Sequence, residues 1–160
     1  MLSDVWPNDV VLLDMGSDIS LVQRVAGAQI LSSRGFPLGV DALVRQSFRH
    51  ELPQPIELEH AIDWTEEAVM PLAAHLPSGS RLILQGLGAA LISDGLKAND
   101  TARRTMTIDE VETLFSRLVS VSQGRPASQE TLPMNARFFA AILILREFMH
   151  HLQLTQVTLS

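Results

Sequence analysis

The chain has 160 residues, of which 46% are hydrophobic, and carries a formal net charge of −6. This length and apolar content suffice for one domain with a proper core, and we expect residues 1–160 to form that single domain. The acidic balance repels polyanions, which argues against nucleic acid as a partner. Because the sequence has no cysteine, a disulfide framework and a thiolate metal site are excluded, and a cytoplasmic location is expected.

The amino-terminal residues, MLSDVWPND, contain no basic stretch followed by an apolar run, so no signal peptide is predicted. The longest apolar run, residues 138–145 (FFAAILIL), is far too short to span a membrane. We therefore expect a soluble protein with no membrane partner.

The first elements in the chain are predicted to be a three-stranded meander. Residues 10–25 (VVLLDMGSDISLVQRV) form an apolar run interrupted by a polar turn, and residues 28–39 predict a third strand. The first turn places Asp14, Gly16 and Asp18 at a strand end, where a ligand-binding loop would lie.

Helices and a fourth strand follow. Apolar spacing predicts a short helix at residues 40–49 and a longer one at residues 56–76, in which Pro71 is expected to cause a kink. Residues 81–87 (RLILQGL) predict a strand that ends in a glycine-containing, Ala-rich turn, and residues 94–105 predict a polar loop.

The last part of the chain predicts two helices and a strand. Thr107 and Glu110 form a capping box for a helix that ends near Ser122, and residues 137–152 are apolar on nearly every side, as in a buried helix. Residues 155–159 alternate like a strand. The whole order favours an α/β, ribonuclease H-like fold, with a mixed five-stranded sheet and helices on both faces.

Several strings resemble the exopolyphosphatase and guanosine pentaphosphate phosphohydrolase (Ppx/GppA) family. Residues 12–23 (LLDMGSDISLVQ) resemble its phosphate loop, Asp-Ile-Gly-Gly-Gly-Ser-Thr-Glu-Leu. Residues 32–40 (SSRGFPLGV) resemble its Ser-Leu-Pro-Leu-Gly turn, and residues 82–88 (LILQGLG) stand where it has a Gly-Gly-Thr loop. The order and spacing of these strings carry the resemblance, because short glycine patterns recur by chance.

The resemblance is to the second domain of that family and implies the fold of the actin and sugar-kinase superfamily. In the family, phosphate chains or guanosine pentaphosphate bind between this domain and an N-terminal twin, which supplies a divalent ion and a catalytic carboxylate. For this chain the resemblance implies a remnant phosphate-binding site at Asp14, Gly16, Ser17, Gly86 and Gly88. No catalytic residue, resident metal or cofactor is assigned, and Mg²⁺ is considered only together with bound phosphate.

The chain departs from the family pattern at the loop itself. Ser17 and Asp18 replace two family glycines, Ile19 replaces the serine and Leu21 replaces the glutamate. A phosphate cradle needs closely approaching backbone donors and little negative charge, and Asp18 provides neither. The family's Arg-Ala-Asp string falls on residues 134–136 (MNA), so both of its charges are absent.

Three candidate features allow structural interpretations as well: two at these strand ends and one in the predicted polar loop. Asp14 fits a magnesium-water ligand or a turn residue that bonds its own backbone. Gly86 and Gly88 either admit a phosphate or only form a tight turn. Arg103 and Arg104 either grip a phosphate or are simply solvated.

The histidines outside the loops also allow more than one interpretation. His60, Asp63 and Glu67 share one helix face, which could ligate a metal or form a solvated acidic surface. His150 and His151 near a helix C-terminus are favoured there by the helix dipole, and no chemical role is assigned to them.

The leading functional hypothesis is a relative of the family that is not catalytic on its own and acts by binding phosphate or a nucleotide, or by assembly. Because a face that lacks its twin must be covered, a homodimer is expected. The alternative is a phosphohydrolase of polyphosphate or guanosine pentaphosphate that a partner chain completes. A third hypothesis is a sensor that holds a phosphorylated nucleotide at Gly16 and Gly86 without turnover.

Overall fold

The structure, a computed structural model, describes residues 6–77, 81–96 and 104–160. Its strands are β1 (Trp6–Asp14), β2 (Ser20–Gly27), β3 (Gln29–Phe36), β4 (Arg81–Gln85), β5 (Arg104–Thr107) and β6 (Gln156–Leu159). They form one mixed sheet in the order β3-β2-β1-β4-β6-β5. The meander β1-β2-β3 is antiparallel, β4 runs parallel to both β1 and β6, and β5 lies antiparallel to β6 at the edge.

Five α-helices accompany the sheet: α1 (Val40–Ser47), α2 (Pro55–Val69), α3 (Leu87–Gly95), α4 (Ile108–Ser122) and α5 (Ala136–His151). Short 3₁₀ helices, Met70–His75 and Ala127–Gln129, follow α2 and α4. None of the helices within the described ranges is long and apolar enough to span a lipid bilayer.

Local hydrogen bonds set where the two longest C-terminal helices begin. Thr107 Oγ1 accepts from the Glu110 N–H at 3.2 Å, and the Glu110 carboxylate accepts from the Thr107 N–H at 3.4 Å, which completes the predicted capping box. Asn135 Oδ1 accepts from the Phe138 N–H at 2.9 Å at the start of α5. These bonds satisfy N–H groups that have no partner inside the helix.

Helix α5 lies at the centre of the core. It is buried along nearly its whole length, as its apolar sequence predicts, and α1, α2, α3 and α4 all contact it. Side chains of alternate strand residues, including Val11, Leu13, Leu82 and Leu84, pack into the same cluster. A smaller cluster on the opposite face of the sheet contains Val10, Leu12, Val25 and Ile83.

The described helices therefore lie on one face of the sheet, whereas the sequence interpretation placed helices on both. The topology explains this difference. The connections from β1 to β4 and from β4 to β6 cross the sheet in the same direction. Because such connections are right-handed, both put their helices on the same face.

The mixed α/β fold is confirmed, but the sheet has six strands rather than five. The additional strand, β5, pairs with β6, and the hydroxyls of Thr105 and Thr158 lie 3.0 Å apart across the pair. Only Met106 of β5 is buried, so an edge strand with polar composition gave no apolar signal. Of the predicted loop 94–105, residues 97–103, and with them Arg103, lie outside the described residues.

Three element boundaries also differ from the prediction. The predicted Ala-rich turn after β4 is helix α3, whose flanking glycines resemble turn residues in sequence. Helix α2 ends at Val69, and the chain continues as a 3₁₀ helix because Pro71 cannot donate the next α-helical bond. Strand β1 begins at Trp6, ahead of the predicted apolar run that starts at Val10.

Candidate functional site: the turn after β1 and the start of α3

The five predicted site residues lie just past or at the adjacent ends of the parallel strands β1 and β4. Asp14 lies opposite Gln85 in the strand register, so the turn after β1 and the start of α3 are adjacent. Two bonds join them: the Met15 N–H donates to the Gln85 carbonyl and the Gly88 N–H donates to the Met15 carbonyl, both at 3.0 Å. Carboxyl ends of neighbouring parallel strands are a common ligand position in α/β folds.

Gly86 brings the Asp14 carboxylate against the first residues of α3. Its φ is +84°, and a Cβ at this position would lie 2.3 Å from Asp14 Oδ1. Only glycine fits here, because both the backbone conformation and the space exclude a side chain. The N-terminus of a helix carries partial positive charge, so Asp14 lies in a field that favours an anion.

The other two glycines serve close packing of the turn. The Gly16 N–H donates to Ser20 Oγ at 3.3 Å, and the Gly88 N–H is bonded to Met15 as described above. A Cβ on Gly16 would lie 2.3 Å from the Ile19 carbonyl oxygen, and one on Gly88 would lie 2.2 Å from Met15 Sδ. Both glycines therefore permit the close approach, while their own N–H groups already have acceptors.

Three backbone N–H groups of the turn are available to bind an anion. Within the described part of the chain, the N–H groups of Ser17, Asp18 and Ile19 have no hydrogen-bond acceptor, and all three residues are exposed. The turn is held in place from behind, because the Ser17 carbonyl accepts from the Asp41 and Ala42 N–H groups at 2.9 and 3.1 Å. Successive free N–H groups on a fixed turn can bind an oxyanion.

An ion pair and a hydroxyl group hold the Asp41 side chain in place behind the turn. Ser17 Oγ donates to Asp41 Oδ2 at 2.7 Å, and Arg137 Nε at the start of α5 donates to Asp41 Oδ1 at 2.9 Å. The hydrogen bond from Arg137, followed by that from Ser17, lowers the pKa of Asp41 below its ordinary value. Asp41 therefore stays ionised, and its charge is balanced by Arg137 of the same chain.

The three carboxylates near the turn differ in their partners. Asp18 pairs with Arg45 at 2.5 Å and Asp41 pairs with Arg137, whereas the side-chain contact of Asp14 within the described residues is Gln85 Nε2 at 3.5 Å. Magnesium bound with a phosphate takes one or two carboxylates and keeps several waters. Asp14 fits that requirement as one ligand.

Sequence reasoning missed Asp41, Arg45 and Arg137. Asp41 is 24 positions from Ser17, Arg45 is 27 from Asp18, and Arg137 is 96 from Asp41. No short motif connects residues so far apart. The available local signals were the acidic residue in the first turn of α1 and the arginine beside residues 134–136, where the family string falls.

The remaining candidates from the sequence lie elsewhere. His60, Asp63 and Glu67 are exposed on α2, and no triad of ligand atoms close enough for one metal is found among them within the described ranges. Arg104 is exposed at the start of β5. None of these residues contacts the turn after β1.

Solved structures with the same fold include Ppx/GppA phosphatases and exopolyphosphatases. The Aquifex aeolicus Ppx/GppA phosphatase, in its type II variant, superposes with a TM-score of 0.74 at 13% identity, covering 97% of this chain and 54% of that one. An exopolyphosphatase from Cytophaga hutchinsonii gives 0.73 at 13% identity, with 99% and 55% covered. An exopolyphosphatase-like protein gives 0.68 at 7% identity, with 94% and 54% covered.

These similarities establish the fold that the sequence resemblance predicted. The chain spans about half the length of the solved structures it matches, with 54% of the Aquifex protein covered. No protein-family model matches the chain, and no curated protein matches its sequence.

Proposed function

We propose that this protein is an exopolyphosphatase-related domain that binds phosphate groups at the turn after β1 and does not hydrolyse them by itself. The observation that carries the proposal is the set of free N–H groups of Ser17, Asp18 and Ile19, on a turn that hydrogen bonds from the start of α1 hold in place. The fold shared with exopolyphosphatases supports phosphate as the ligand class.

Weak binding without turnover follows from the charges around these donors. Asp14 lies beside the start of α3 and Asp18 lies within the turn, so an incoming phosphate meets two carboxylates. Arg45 neutralises only the second of them. We assign no catalytic nucleophile or base among the described residues of the site.

Calorimetric titration with inorganic phosphate and tripolyphosphate, with and without Mg²⁺, tests this proposal. Arg45→Gln should weaken binding several-fold because Asp18 then keeps an unneutralised charge at the turn. Arg49→Gln is the matched control, since Arg49 is an exposed arginine just past α1 that does not pair with the turn. Absence of binding to the wild-type chain, or equal effects of both variants, would contradict the proposal.

A second candidate is a phosphohydrolase that is completed by another chain. It is favoured by the Asp14 carboxylate, whose side-chain contact is Gln85 and which pairs with no arginine among the described residues. Phosphate release from polyphosphate or guanosine pentaphosphate is measured for the purified chain with Mg²⁺, alone and with a candidate partner. Phosphate release only in the mixture supports this candidate. No phosphate release in either sample contradicts it.

Assembly of two copies is the third part of the proposal. Ile19 and Leu21, which stand where the family loop has Ser and Glu, are 66% and 37% exposed beside the site. Large apolar side chains next to a ligand turn are costly to leave in water and are common in interfaces. We therefore propose a homodimer that covers this corner of the sheet.

A further inference from the structure

Far from the anion site, three side chains converge between the C-terminal ends of α2 and α5. His151 Nε2 lies 3.1 Å from Glu147 Oε2 and 3.2 Å from Glu66 Oε1. Glu147 and His151 are one helical turn apart on α5, and Glu66 comes from α2, 85 positions away from His151. The ligand atoms of all three residues lie within 4.8 Å of one another.

The distances match those between ligands of a single metal ion. In a tetrahedral Zn²⁺ site with bonds of about 2.0–2.1 Å, neighbouring ligand atoms lie about 3.4 Å apart. The two contacts of the imidazole nitrogen are already near this value. A metal placed between the three atoms would need only a small approach of the two carboxylates toward each other.

Burial and charge favour a cation at this position. The Glu147 side chain is only 1% exposed, and buried carboxylates are normally paired or bound to a metal. Its second oxygen bonds Arg146 at 2.5 Å, and Arg146 also bonds Glu112. Glu66, Glu112 and Glu147 together with Arg146 carry a net charge of −2 when the His151 imidazole is neutral. A divalent ion would cancel this charge.

The bond from Arg146 also fixes the orientation of the Glu147 carboxylate. Metal-binding carboxylates are typically held in this way by a hydrogen bond to the oxygen that does not bind the ion. A neutral imidazole nitrogen with two carboxylate oxygens is a set that suits Zn²⁺ better than Mg²⁺ or Ca²⁺.

We propose that Glu66, Glu147 and His151 bind one Zn²⁺ ion, with water as a fourth ligand, and that the ion joins α2 to α5. The site is separate from the anion site, since α5 carries Arg137 near its beginning and His151 at its end, about 21 Å apart along the helix. The proposal is therefore independent of phosphate binding.

The test is titration of the chelator-treated full chain with Zn²⁺ by calorimetry, and with Co²⁺ by visible absorption. We expect one ion per chain and the strong absorption of tetrahedral Co²⁺. His151→Asn and Glu66→Gln should each weaken binding by at least about tenfold, because loss of a ligand costs no less than loss of its supporting hydrogen bond. Zn²⁺ should also raise the thermal unfolding midpoint of the wild-type chain and not of these variants.

The matched controls are His150→Asn and Glu67→Gln, which change exposed neighbours of the same residue types. Both should retain wild-type affinity and the thermal shift. Glu66 is 37% exposed, so Glu66→Gln keeps the test valid even if His151→Asn does not fold. Absence of binding, retention of binding in both ligand variants, or an equal loss in His150→Asn overturns the proposal.

Discussion

We propose that the Asp14 carboxylate influences which ligands the turn after β1 can hold. It lies against Gly86 at the start of α3, where the helix field favours negative charge. The negative charge of Asp14 therefore already interacts with the helix dipole that would otherwise stabilise a bound phosphate. The same carboxylate would help phosphate only if a divalent ion lay between them.

Asp14→Asn separates these two roles. Removing a like charge close to a bound anion is worth about 1–4 kcal/mol at a partly exposed site. Without metal, we therefore expect the phosphate affinity to rise about tenfold. Calorimetric titration with phosphate in a chelating buffer measures this. A fall in affinity that appears only with Mg²⁺ would instead favour the phosphohydrolase candidate.

Gly86 tests how tightly the two halves of the site are joined. In Gly86→Ala the methyl group would meet Asp14 Oδ1 at 2.3 Å and the Met15 carbonyl oxygen at 3.0 Å, at a φ of +84°. We expect a loss of about 2–4 kcal/mol in the free energy of unfolding, measured with urea.

Gly27→Ala provides the control for this change. Gly27 also has a positive φ, +61°, but no atom lies within 4 Å of its added Cβ. It should lose only about 1 kcal/mol, which is the cost of the backbone conformation alone. Equal losses in the two variants would show that the contact with Asp14 does not constrain the site.

At the scale of elements, a buried carboxylate fixes the connection between α4 and α5. Glu130 is 2% exposed and accepts hydrogen bonds from Arg117 of α4 and from Arg125. The N–H groups of Thr131 and Leu132 also donate to it, at 2.7 and 3.1 Å. One side chain therefore holds the segment that leads into α5, the helix that carries Arg137 to the site.

These contacts make the stability depend on pH. Hydrogen bonds from Arg117 hold the pKa of Glu130 far below its ordinary value, with further help from Arg125 and the backbone. Because the folded pKa is lowered, the stabilisation is fully present above about pH 4.5 and is lost as the pH falls further. Urea unfolding of the wild-type chain at pH 7 and at pH 3 should show this loss.

Glu130→Gln should lower the free energy of unfolding at pH 7 by about 1–3 kcal/mol, because the neutral amide leaves buried donors without a charged acceptor. It should also reduce the difference between pH 7 and pH 3. Glu67→Gln, an exposed change on α2, should alter neither quantity. An unchanged pH dependence in Glu130→Gln would show that other carboxylates are responsible.

At the scale of the whole molecule, the proposed homodimer predicts that the measured molecular mass in solution depends on Ile19 and Leu21, the exposed apolar side chains beside the site. Ile19→Glu adds a charge at a side chain that is 66% exposed, so it should yield monomers without unfolding the chain. Size-exclusion chromatography with light scattering at micromolar concentration measures the change.

Ile56→Glu is the control for assembly, because Ile56 is 54% exposed at the start of α2, away from this corner. This variant should remain dimeric. A wild-type chain that is monomeric at these concentrations would contradict the homodimer, and dissociation by both variants alike would move the interface elsewhere.

The sequence by itself determined the elements whose signals are local. An apolar run interrupted by a polar turn located β1 and β2, the capping box located the start of α4, and uniform apolarity marked α5 as the buried helix. Each of these sequence patterns involves residues that are close together in the chain, within one or two helical turns or within a pair of consecutive strands. Signals of this kind were missing for β5, which is an exposed edge, and for α3, which begins between glycines.

The tertiary structure alone decided which distant residues share a site. The family resemblance indicated five candidate residues of the proposed anion site, and the parallel register of β1 and β4 brings Asp14 next to Gly86. The pairs Asp41–Arg137 and Glu66–His151 could not be predicted, since they join different helices and leave no pattern in the chain. Which charged side chains pair is decided by the packing around α5, because that packing sets which helix surfaces meet.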